Sequence, residues 1–458
     1  MNKYIVGLDI GTTKIACFIG ERAENGKIRI VGFGKTDSIG VERGIVRNIR
    51  STSESIRHAV AEASEMAKYD VEEVFVGIAG QHIKSRSNQG TIMIPEDHRQ
   101  IEESDVKRLI DEQFHILLDP GEEIIHVFPQ CYIVDNDKLE TDISPVGVAG
   151  KCLMANFHIV TGNTTNLHNI RDAVEGAGLR IKDVVLEPIA SAFAVLDEGD
   201  KDAGVALVDI GGGTTDIAIF HEGIIRHTSV LPLAGNVITN DIRENCKILK
   251  HQAESLKTKF GSCLPTSVNQ DDIISIPGIR NQQPREISVR TLAGIIKSRM
   301  QLILEQVGYE IQLSGYERQL IAGVVLTGGG ARLKNIKEFT EFIIGIDARI
   351  GTPDEHLDTP GSISFEDLSH PMYATGIGLV IYGLEAEEQE AKSEAQKVKE
   401  HSSESVANKE IEEAEEVEVQ EKKKRTKKDK SKDPNRPGFG DAIGTWLTKI
   451  FTEEGLDE

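Results

Sequence analysis

The chain has 458 residues and a formal net charge of −22 at pH 7. This length predicts two or three domains, and the negative charge argues against general binding to nucleic acid. The sequence has no run of about 18 apolar residues, and its first strand pattern begins almost at once, so neither a membrane-spanning helix nor a signal peptide is predicted. The five cysteines form no CxxC motif, which is typical of reduced thiols in a cytosolic protein.

Residues 1–81 begin with a predicted hairpin, in which IVGLDIGTTKIACFI (5–19) places two apolar strands around a polar turn. A strand at 27–37, a helix capped by Ser51 or Thr52, and a buried strand at 71–80 follow. This alternation of strands and helices predicts an α/β layer.

Residues 82–160 change character and predict an inserted small α/β domain, with a helix near 98–116 and a pair of strands within 122–136. Its histidines, His115, His126 and His158, are irregularly spaced. We therefore expect solvated or packed histidines rather than a metal site.

The α/β pattern resumes at 161–200, where Glu187 stands between a predicted strand and a predicted helix, directly before Pro188. The carboxyl ends of strands in an open α/β sheet face the ligand crevice. Glu187 is therefore a candidate for positioning a water molecule. An acidic residue at the start of a surface helix explains it equally well.

A second predicted hairpin reads VALVDIGGGTTDIAIF (205–220), with Asp209 at the end of its first strand. Glycine accepts backbone angles that a Cβ forbids, so such a turn can direct several N–H groups at one anion. A carboxylate beside a bound phosphate implies a cation between them, which favours Mg²⁺. For this stretch alone, an ordinary hairpin with a glycine turn is an alternative.

The two hairpins form an internal repeat. Aligned on Asp9 and Asp209, both read as an apolar run, Asp-Ile-Gly, Thr-Thr and another apolar run. Such a repeat predicts two related halves, each of which presents a phosphate-binding hairpin to a shared cleft.

The remaining folded part contains predicted helices and one more glycine turn. A helix begins near Gly235, another at 251–263 carries Glu254 and Lys257 three residues apart on one face, and short strands precede a long helix at 291–315. The last motif, AGVVLTGGGARLKNI (322–336), predicts a strand, a glycine turn and a helix. A helix N-terminus behind a glycine turn favours anions, and close backbone approach suits a flat ring.

The C-terminal tail has three parts. Residues 385–421 hold 14 acidic and 4 basic residues without apolar periodicity, so we expect disorder, and residues 422–432 hold 8 basic residues and one acidic residue. The apolar residues of the last part share one helical face: Phe439, Ile443, Trp446, Leu447, Ile450 and Phe451. A basic run before an amphipathic helix is typical of an anchor on an anionic membrane. Alternatives are a helix docked on the protein's own body and a nucleic-acid-binding arm.

The motifs DIGTTK, LEPIASA, DIGGGTTD, AESLK and LTGGGA resemble, as an ordered set, the superfamily of actin, hexokinase and heat-shock-chaperone ATPases. Within it, the insertion at 82–160, VVLEPIASAFAVL, GNVITNDI and the tail resemble the FtsA family of bacterial cell-division proteins. The resemblance covers residues 4–384 and the final helix. It implies an α/β, actin-like two-domain ATPase fold with an inserted small α/β subdomain, a disordered linker and a C-terminal amphipathic helix.

The resemblance also implies a function. It implies that ATP and Mg²⁺ bind between the halves, mainly as ligands that control conformation and assembly, and that the protein polymerises. It further implies that the protein anchors filaments of the tubulin-like FtsZ to the cytoplasmic face of the inner membrane at the division site. The implied partners are FtsZ, other copies of the chain, anionic inner-membrane lipid and later division proteins.

Motif matches assign roles to individual residues. Asp9 and Asp209 match positions that hold Mg²⁺ through waters, and Glu187 matches the position that orients the attacking water. Glu187 and Asp209 are the two residues assigned to catalysis. The phosphates are assigned to the hairpin turns: Gly11, Thr12, Thr13, Gly211, Gly212, Gly213, Thr214 and Thr215. Ribose and adenosine contacts are assigned to the later motifs: Glu254, Lys257, Gly328, Gly329 and Gly330. LAGN (233–236) departs from the glycine pair more usual in the family, and Lys14 has no secure counterpart.

The expected domain boundaries are 1–81 with 161–200 (subdomain 1A), 82–160 (1C), 201–235 with 310–384 (2A), 236–309 (2B), 385–436 (linker) and 437–458 (membrane-targeting helix). Two other functions fit the same fold. A sugar or acetate-type kinase would need a catalytic base facing an acceptor pocket, and a chaperone-like ATPase would need a substrate-binding domain in place of the tail.

Overall fold

Two five-stranded sheets and a smaller four-stranded sheet organise the chain in the computed structural model, which describes residues 4–95, 100–139, 144–278, 283–358 and 368–392. The strands are β1 (Ile5–Ile10), β2 (Lys14–Arg22), β3 (Ile28–Asp37), β4 (Val41–Glu42), β5 (Ile45–Val46), β6 (Glu73–Ile78), β7 (Lys84–Met93), β8 (Glu122–Val134), β9 (Asp137–Lys138), β10 (Cys152–Asn163), β11 (Arg180–Leu186), β12 (Val205–Ile210), β13 (Thr215–His221), β14 (Ile224–Leu231), β15 (Ile273–Ile276), β16 (Arg285–Ser288), β17 (Gly323–Thr327) and β18 (Ala348–Ile350).

The helices cover the sheets and connect their strands. They are α1 (Ile49–Ala67), α2 (Glu103–Gln113), α3 (Thr164–Gly176), α4 (Glu187–Val195), α5 (Glu198–Ala203), α6 (Gly235–Cys246), α7 (Lys250–Phe260), α8 (Val289–Ser314), α9 (Ile336–Ile344) and α10 (374–392).

The two large sheets repeat one topology. The first sheet has the order β11-β6-β1-β2-β3, and the second has the order β14-β13-β12-β17-β18. In each, an antiparallel hairpin (β1–β2, the first hairpin, or β12–β13, the second hairpin) pairs in parallel with a later strand. The prediction of two related halves is confirmed at the level of sheet topology.

The register of the hairpins corrects the alignment of their threonines. Every pair in the second hairpin equals a pair in the first with 200 added to both numbers, from Ile5–Gly20 and Val205–Phe220 to Ile10–Ile15 and Ile210–Thr215. Because the two turns have equal length, each residue of the first hairpin corresponds to the residue 200 positions later. Thr12 and Thr13 therefore correspond to Gly212 and Gly213, and not to the threonines of the second hairpin.

Two large apolar cores surround the sheets. The first core joins the first sheet to α1, α3 and α4 and also includes one face of the second sheet, with residues such as Leu207 and Val325. The second core joins the other face of the second sheet to α6, α7, α8 and α9. Helix α10 packs in the first core through residues such as Ile377 and Val380, although the sequence analysis grouped 310–384 with the second half. Glycine explains this packing, because a Cβ added at Gly378 would lie 1.7 Å from the carbonyl oxygen of Ala190.

The inserted domain consists of the sheet β7-β10-β8-β9 and α2, with a separate core that includes Leu109 and Phe157. It also contacts the edge strand of the second sheet, since Gln130 Nε2 donates to the carbonyl oxygen of Ile225 at 2.7 Å and Ser85 Oγ donates to that of Thr228 at 3.1 Å. The insertion therefore touches both halves of the protein.

The histidines of the inserted domain are packed or solvated, as expected. His126 Nε2 accepts a hydrogen bond from the backbone N–H of Leu186 at 3.2 Å, His158 Nε2 lies 2.9 Å from Thr228 Oγ1, and His115 is exposed. Among the described residues, no group of three His, Cys, Asp or Glu side chains is placed to hold a metal ion.

Three predictions about secondary structure are wrong: the cap of α1, the strand pair at 122–136 and the start of the disordered tail at 385. The cap of α1 is Asn48, whose side chain accepts from the backbone N–H of Ser51 at 3.1 Å, so the helix starts earlier than the Ser/Thr motif suggested. The predicted strand pair at 122–136 is largely one bulged strand, β8, which accommodates Pro129 at an irregularity of its pairing. Residues 385–392 continue α10, and Glu387 pairs with Lys182 at 2.5 Å. The rest of the tail, including the six residues of the amphipathic face, lies outside the described residues.

Candidate functional site

The tips of the two hairpins meet. A Cβ added to Gly212 would lie 2.4 Å from Cγ2 of Thr13, and a Cβ added to Gly213 would lie 2.3 Å from Oγ1 of Thr12. Only glycine permits this approach, so the glycines of the second turn serve contact between the halves as well as turn geometry. The backbone N–H of Gly44 also donates to Thr12 Oγ1 at 3.0 Å.

A cavity of about 210 Å³ opens beneath this contact. It is lined by almost all of the residues that the sequence analysis singled out: Asp9, Gly11, Thr12, Thr13, Glu187, Asp209, Gly211, Gly212, Gly213, Thr214, Glu254, Lys257, Gly328, Gly329 and Gly330. Thr215 is the exception, because it is fully buried and its hydroxyl donates to the carbonyl oxygen of Leu233 at 2.7 Å.

Asp9 and Asp209 are both buried, at 5% and 6% exposure, where strands β1 and β12 end. Lys14 Nζ lies 3.4 Å from Asp9 Oδ2 and also lines the cavity. In the described part of the chain no salt bridge joins Asp209 to an ammonium group, and its carboxylate accepts hydrogen bonds from two hydroxyl groups, those of Ser191 at 2.8 Å and Thr375 at 3.3 Å. Removal from water raises the pKa of Asp209, although the Ser191 hydrogen bond acts in the opposite direction.

Asp216 is a site residue that the sequence analysis missed. It lies opposite Asp209 in the second hairpin, lines the cavity and is 2% exposed. Its Oδ2 accepts from Thr214 Oγ1 at 2.9 Å, whereas no described residue forms a hydrogen bond with its Oδ1. Burial, and then the charge of Asp209, raises its pKa well above the ordinary value. The available signal was its position in the hairpin, because residues directly opposite each other share a face of the sheet.

Glu187 is the first residue of α4 and follows β11 directly. Burial, and then the charges of Asp9, Asp216 and Asp209, raises the pKa of its carboxyl group well above the ordinary value. A carboxyl group with a raised pKa inside a cleft can hold a water molecule and accept its proton near neutral pH. The alternative of a surface acid does not fit this position.

The donor set fits Mg²⁺. Five carboxyl groups line one cavity, one buried oxygen of Asp216 has no hydrogen-bond partner within the described residues, and oxygen atoms are the ligands that Mg²⁺ prefers. Because no three acidic side chains in the described residues are placed to bind one ion directly, the remaining ligands would be waters and phosphate oxygens. This is the usual way in which proteins hold Mg²⁺ beside a nucleotide.

The other end of the cavity contains a hydrogen-bonded network. Lys257 Nζ lies 2.8 Å from Glu254 Oε2 and donates to Thr239 Oγ1 at 2.9 Å and to the carbonyl oxygen of Gly235 at 3.1 Å. The Thr239 hydroxyl donates in turn to Glu254. The Glu254–Lys257 pair is therefore fixed against the start of α6. An ion pair on the surface of an isolated helix would have no such additional partners.

The third glycine run closes the cavity behind Asp209. Gly328 has a φ of +80°, and a Cβ there would lie 2.2 Å from Asp209 Oδ1, so this position requires glycine for both reasons. The run continues into a short 3-10 turn (Gly329–Arg332), and α9 begins only at Ile336, so no α-helix N-terminus points at the cavity here as the sequence suggested. Further lining residues that the sequence analysis missed include three apolar side chains and one cation: Ile238, Met300, Leu333 and Arg332.

Comparisons with known proteins agree with this geometry. The family described as "Cell division protein FtsA" matches residues 206–378, "SHS2 domain inserted in FTSA" matches 80–161, and "Hsp70 protein" matches 163–229. Among solved structures, the PilM-PilN type IV pilus biogenesis complex is similar with a TM-score of 0.61 and 15% identity, over 84% of this chain and 99% of that one. MreB5 of Spiroplasma citri, bound to ADP, is similar with a TM-score of 0.50 and 14% identity, over 85% and 98%.

The fold and the cleft thus define an actin-like protein of the ATPase-fold class, with an SHS2 domain inserted. Cell division protein FtsA of Pseudomonas aeruginosa is 38% identical over 84% of this chain and 90% of its own length, and that of Escherichia coli K12 is 32% identical over 84% and 91%. The chain belongs to the family of cell division protein FtsA. None of the helices in its described part has the length and apolar character that crossing a membrane requires.

Proposed function

We propose that this chain is an actin-like ATP-binding protein that polymerises, anchors FtsZ filaments to the cytoplasmic face of the inner membrane at the division site and recruits later division proteins. Its membership of the FtsA family, together with the cleft in which the two hairpins meet, is the observation that carries this proposal. The same membership favours a division protein over a small-molecule kinase or a chaperone.

The phosphates of ATP bind to the two turns, at Gly11, Thr12 and Thr13 in the first and Gly211, Gly212, Gly213 and Thr214 in the second. The approach of the two turns supports this role, because it brings backbone N–H groups from both halves to one place. Thr215 is left out, since its hydroxyl points to Leu233.

Asp9 and Asp209 would hold Mg²⁺ through waters, and Asp216 would add negative charge to the same cavity. When bound, Mg²⁺ neutralises phosphate charge and orients the phosphate chain. Glu187 positions a water molecule and accepts its proton, and its raised pKa supports this role. ATP acts mainly as a ligand for conformation and assembly, with weak hydrolysis.

The nucleoside binds at the other end of the cavity. Glu254 and Lys257, held together by Thr239, contact the ribose, and Gly328, Gly329 and Gly330 contact the adenosine. Apolar side chains from α6 and α8 on the wall of this region, Ile238 and Met300, support the binding of a flat ring.

The terminal segment 437–458 anchors the protein to anionic lipid. Residues 385–436 are the proposed linker, of which 385–392 belong to α10. The pattern of its sequence supports this, because a basic run precedes one apolar helical face. The boundaries 1–81, 82–160, 161–200, 201–235, 236–309 and 310–384 are proposed for the subdomains, with α10 reassigned to the first.

The test is recruitment of FtsZ to anionic liposomes by the full-length chain, measured by co-sedimentation with and without ATP and Mg²⁺. We expect FtsZ to sediment only when the chain is present. A chain that lacks 439–458 should leave FtsZ and itself in the supernatant, and neutral liposomes serve as the lipid control. Sedimentation of the truncated chain at the level of the full-length chain would contradict the anchor.

A further inference from the structure

Three oxygen-bearing side chains from distant parts of the sequence meet behind the cleft. Ser191 of α4 is fully buried and donates to Asp209 Oδ2 at 2.8 Å, and Thr375 of α10 lies 3.3 Å from the same atom. The two hydroxyl oxygens are 3.0 Å apart. Thr375 lines the cavity beside Asp209, whereas Ser191 reaches the site through the carboxylate alone.

We propose that Ser191 and Thr375 are positioning residues, which fix Asp209 through its Oδ2 and thereby make Mg²⁺-dependent nucleotide binding depend on the contact between α4 and α10. This inference rests on the proposed function, because it assumes that Asp209 holds Mg²⁺.

The choice of partners supports this role. Lys14 balances the charge of Asp9, whereas hydroxyl groups orient Asp209 and leave its negative charge available for a cation. On the other side of the carboxylate, the backbone of Gly328 approaches Oδ1 so closely that a Cβ would lie 2.2 Å from it. The carboxylate is therefore held at Oδ2 by two hydrogen bonds, while the backbone of Gly328 limits the space beside Oδ1.

The packing of the two helices explains why the hydroxyls meet. A Cβ at Gly378 would lie 1.7 Å from the carbonyl oxygen of Ala190, the residue before Ser191, and a Cβ at Gly376 would lie 2.2 Å from the Phe18 ring. Glycines on both sides of α10 therefore let its first turn approach α4 and the first sheet. Thr375, between Ala374 and Gly376, is carried to Asp209 by this approach.

The experiment compares Ser191→Ala, Thr375→Val and Thr375→Ser in the full chain. Valine keeps the shape of threonine without the hydroxyl group, and serine keeps the hydroxyl group without the methyl group. For each variant, the affinity for a fluorescent ATP analogue is measured with Mg²⁺ and with EDTA, and the ratio of the two affinities is the readout. Thermal unfolding without nucleotide checks that each variant is folded.

We expect Ser191→Ala and Thr375→Val to reduce the Mg²⁺ enhancement of affinity about 10- to 100-fold, which is usual for the outer partners of a metal ligand. Thr375→Ser should keep the wild-type enhancement, and the affinity in EDTA should stay the same in all three. Thr340→Val is the matched control, because Thr340 is a buried hydroxyl in α9 that donates to the carbonyl oxygen of Ile336 at 2.8 Å.

Asp209→Ala separates this inference from the proposed function. Loss of the enhancement in Asp209→Ala, with wild-type enhancement in both Ser191→Ala and Thr375→Val, would overturn the positioning role and leave the Mg²⁺ site intact. Equal losses in Thr375→Val and Thr375→Ser would overturn the role of the hydroxyl group of Thr375. Full enhancement in Asp209→Ala would overturn the site itself and the inference with it.

Discussion

The first and second hairpins share one backbone register and differ in their chemistry. Asp9 faces Ala16 across its hairpin and pairs with Lys14, whereas Asp209 faces Asp216 and accepts hydrogen bonds from two hydroxyl groups. The first hairpin therefore carries its own counter-charge. The second places two buried carboxyl groups opposite each other, and burial raises the pKa of both aspartates, with the charge of Asp209 adding to the effect on Asp216.

This difference shows how an internal repeat can keep a turn and divide the charges around it. A turn of fixed length preserves the directions of the backbone N–H groups in both halves. The side chains beside each turn can then differ. In this protein the second hairpin carries two facing carboxyl groups, so a cation is expected to bind mainly there. The predictions below test that division.

The largest expected effect separates the two aspartates. Asp209→Ala should weaken Mg²⁺-dependent ATP binding about 100-fold, because it removes the carboxylate that has no cationic partner. Asp9→Ala should cost about tenfold, since it also frees Lys14 to meet the phosphates. Isothermal titration with ATP and Mg²⁺ measures both. Asp111→Ala is the control, because Asp111 is an exposed acid on α2. Equal losses of affinity in Asp209→Ala and Asp9→Ala would contradict the proposed difference between the two hairpins.

A smaller effect is expected where the turns touch. Gly212→Ala would place a methyl group 2.4 Å from Cγ2 of Thr13, which should hold the hairpins apart and weaken ATP binding about tenfold. The double variant Gly212→Ala with Thr13→Ser removes the clashing Cγ2, keeps the hydroxyl group assigned to the phosphates and should recover most of the affinity. Failure of the second substitution to rescue the first would show that contact between the turns does not control the cleft.

Much of this arrangement could be predicted from the sequence, because the two hairpins have visibly similar sequences. The two Asp-Ile-Gly motifs after apolar strands predicted both hairpins and their common cleft, which the structure confirms as topology. The Thr-Thr pairs of the two hairpins do not occupy equivalent positions, since strand register and turn length decide which residues correspond.

Contacts between distant segments could not be predicted. Ser191 and Thr375 lie far apart in the chain and come into contact only because glycines let α10 approach α4. No local sequence pattern predicts this contact. The same glycines explain why α10 packs on the first sheet when its place in the sequence suggested the second. Asp216 was different, because its position opposite Asp209 was available from the hairpin alone.

The buried carboxyl group of Asp216 should lower the stability of the nucleotide-free protein above acidic pH. Its pKa in the folded protein lies well above that of the unfolded chain, so the nucleotide-free protein should lose stability as the pH rises from about 4 through the folded-state pKa. Asp216→Asn removes this loss and should raise the free energy of unfolding at pH 8. Urea unfolding at pH 8 and pH 4 measures it. The gain should vanish at pH 4, and a gain that is equal at both pH values would assign it to packing.

The smallest effect concerns the second place where the halves meet, the contact between the inserted domain and β14. Burial, and then the charge of His227, lowers the pKa of His158 to about 4, while His158 lies 2.9 Å from Thr228 Oγ1. An unfolded histidine has a pKa of about 6.5, so this contact is stable above that pH and is weakened as the pH falls from about 6.5 towards 4. At pH 5.5, the buried neutral ring should cost about 1 kcal/mol of unfolding free energy relative to pH 7.5. His158→Gln should remove that part of the pH dependence, whereas His115→Gln, at an exposed position, should leave it unchanged. If both variants follow the wild-type pH dependence, the link between the halves through the inserted domain does not depend on the charge of His158.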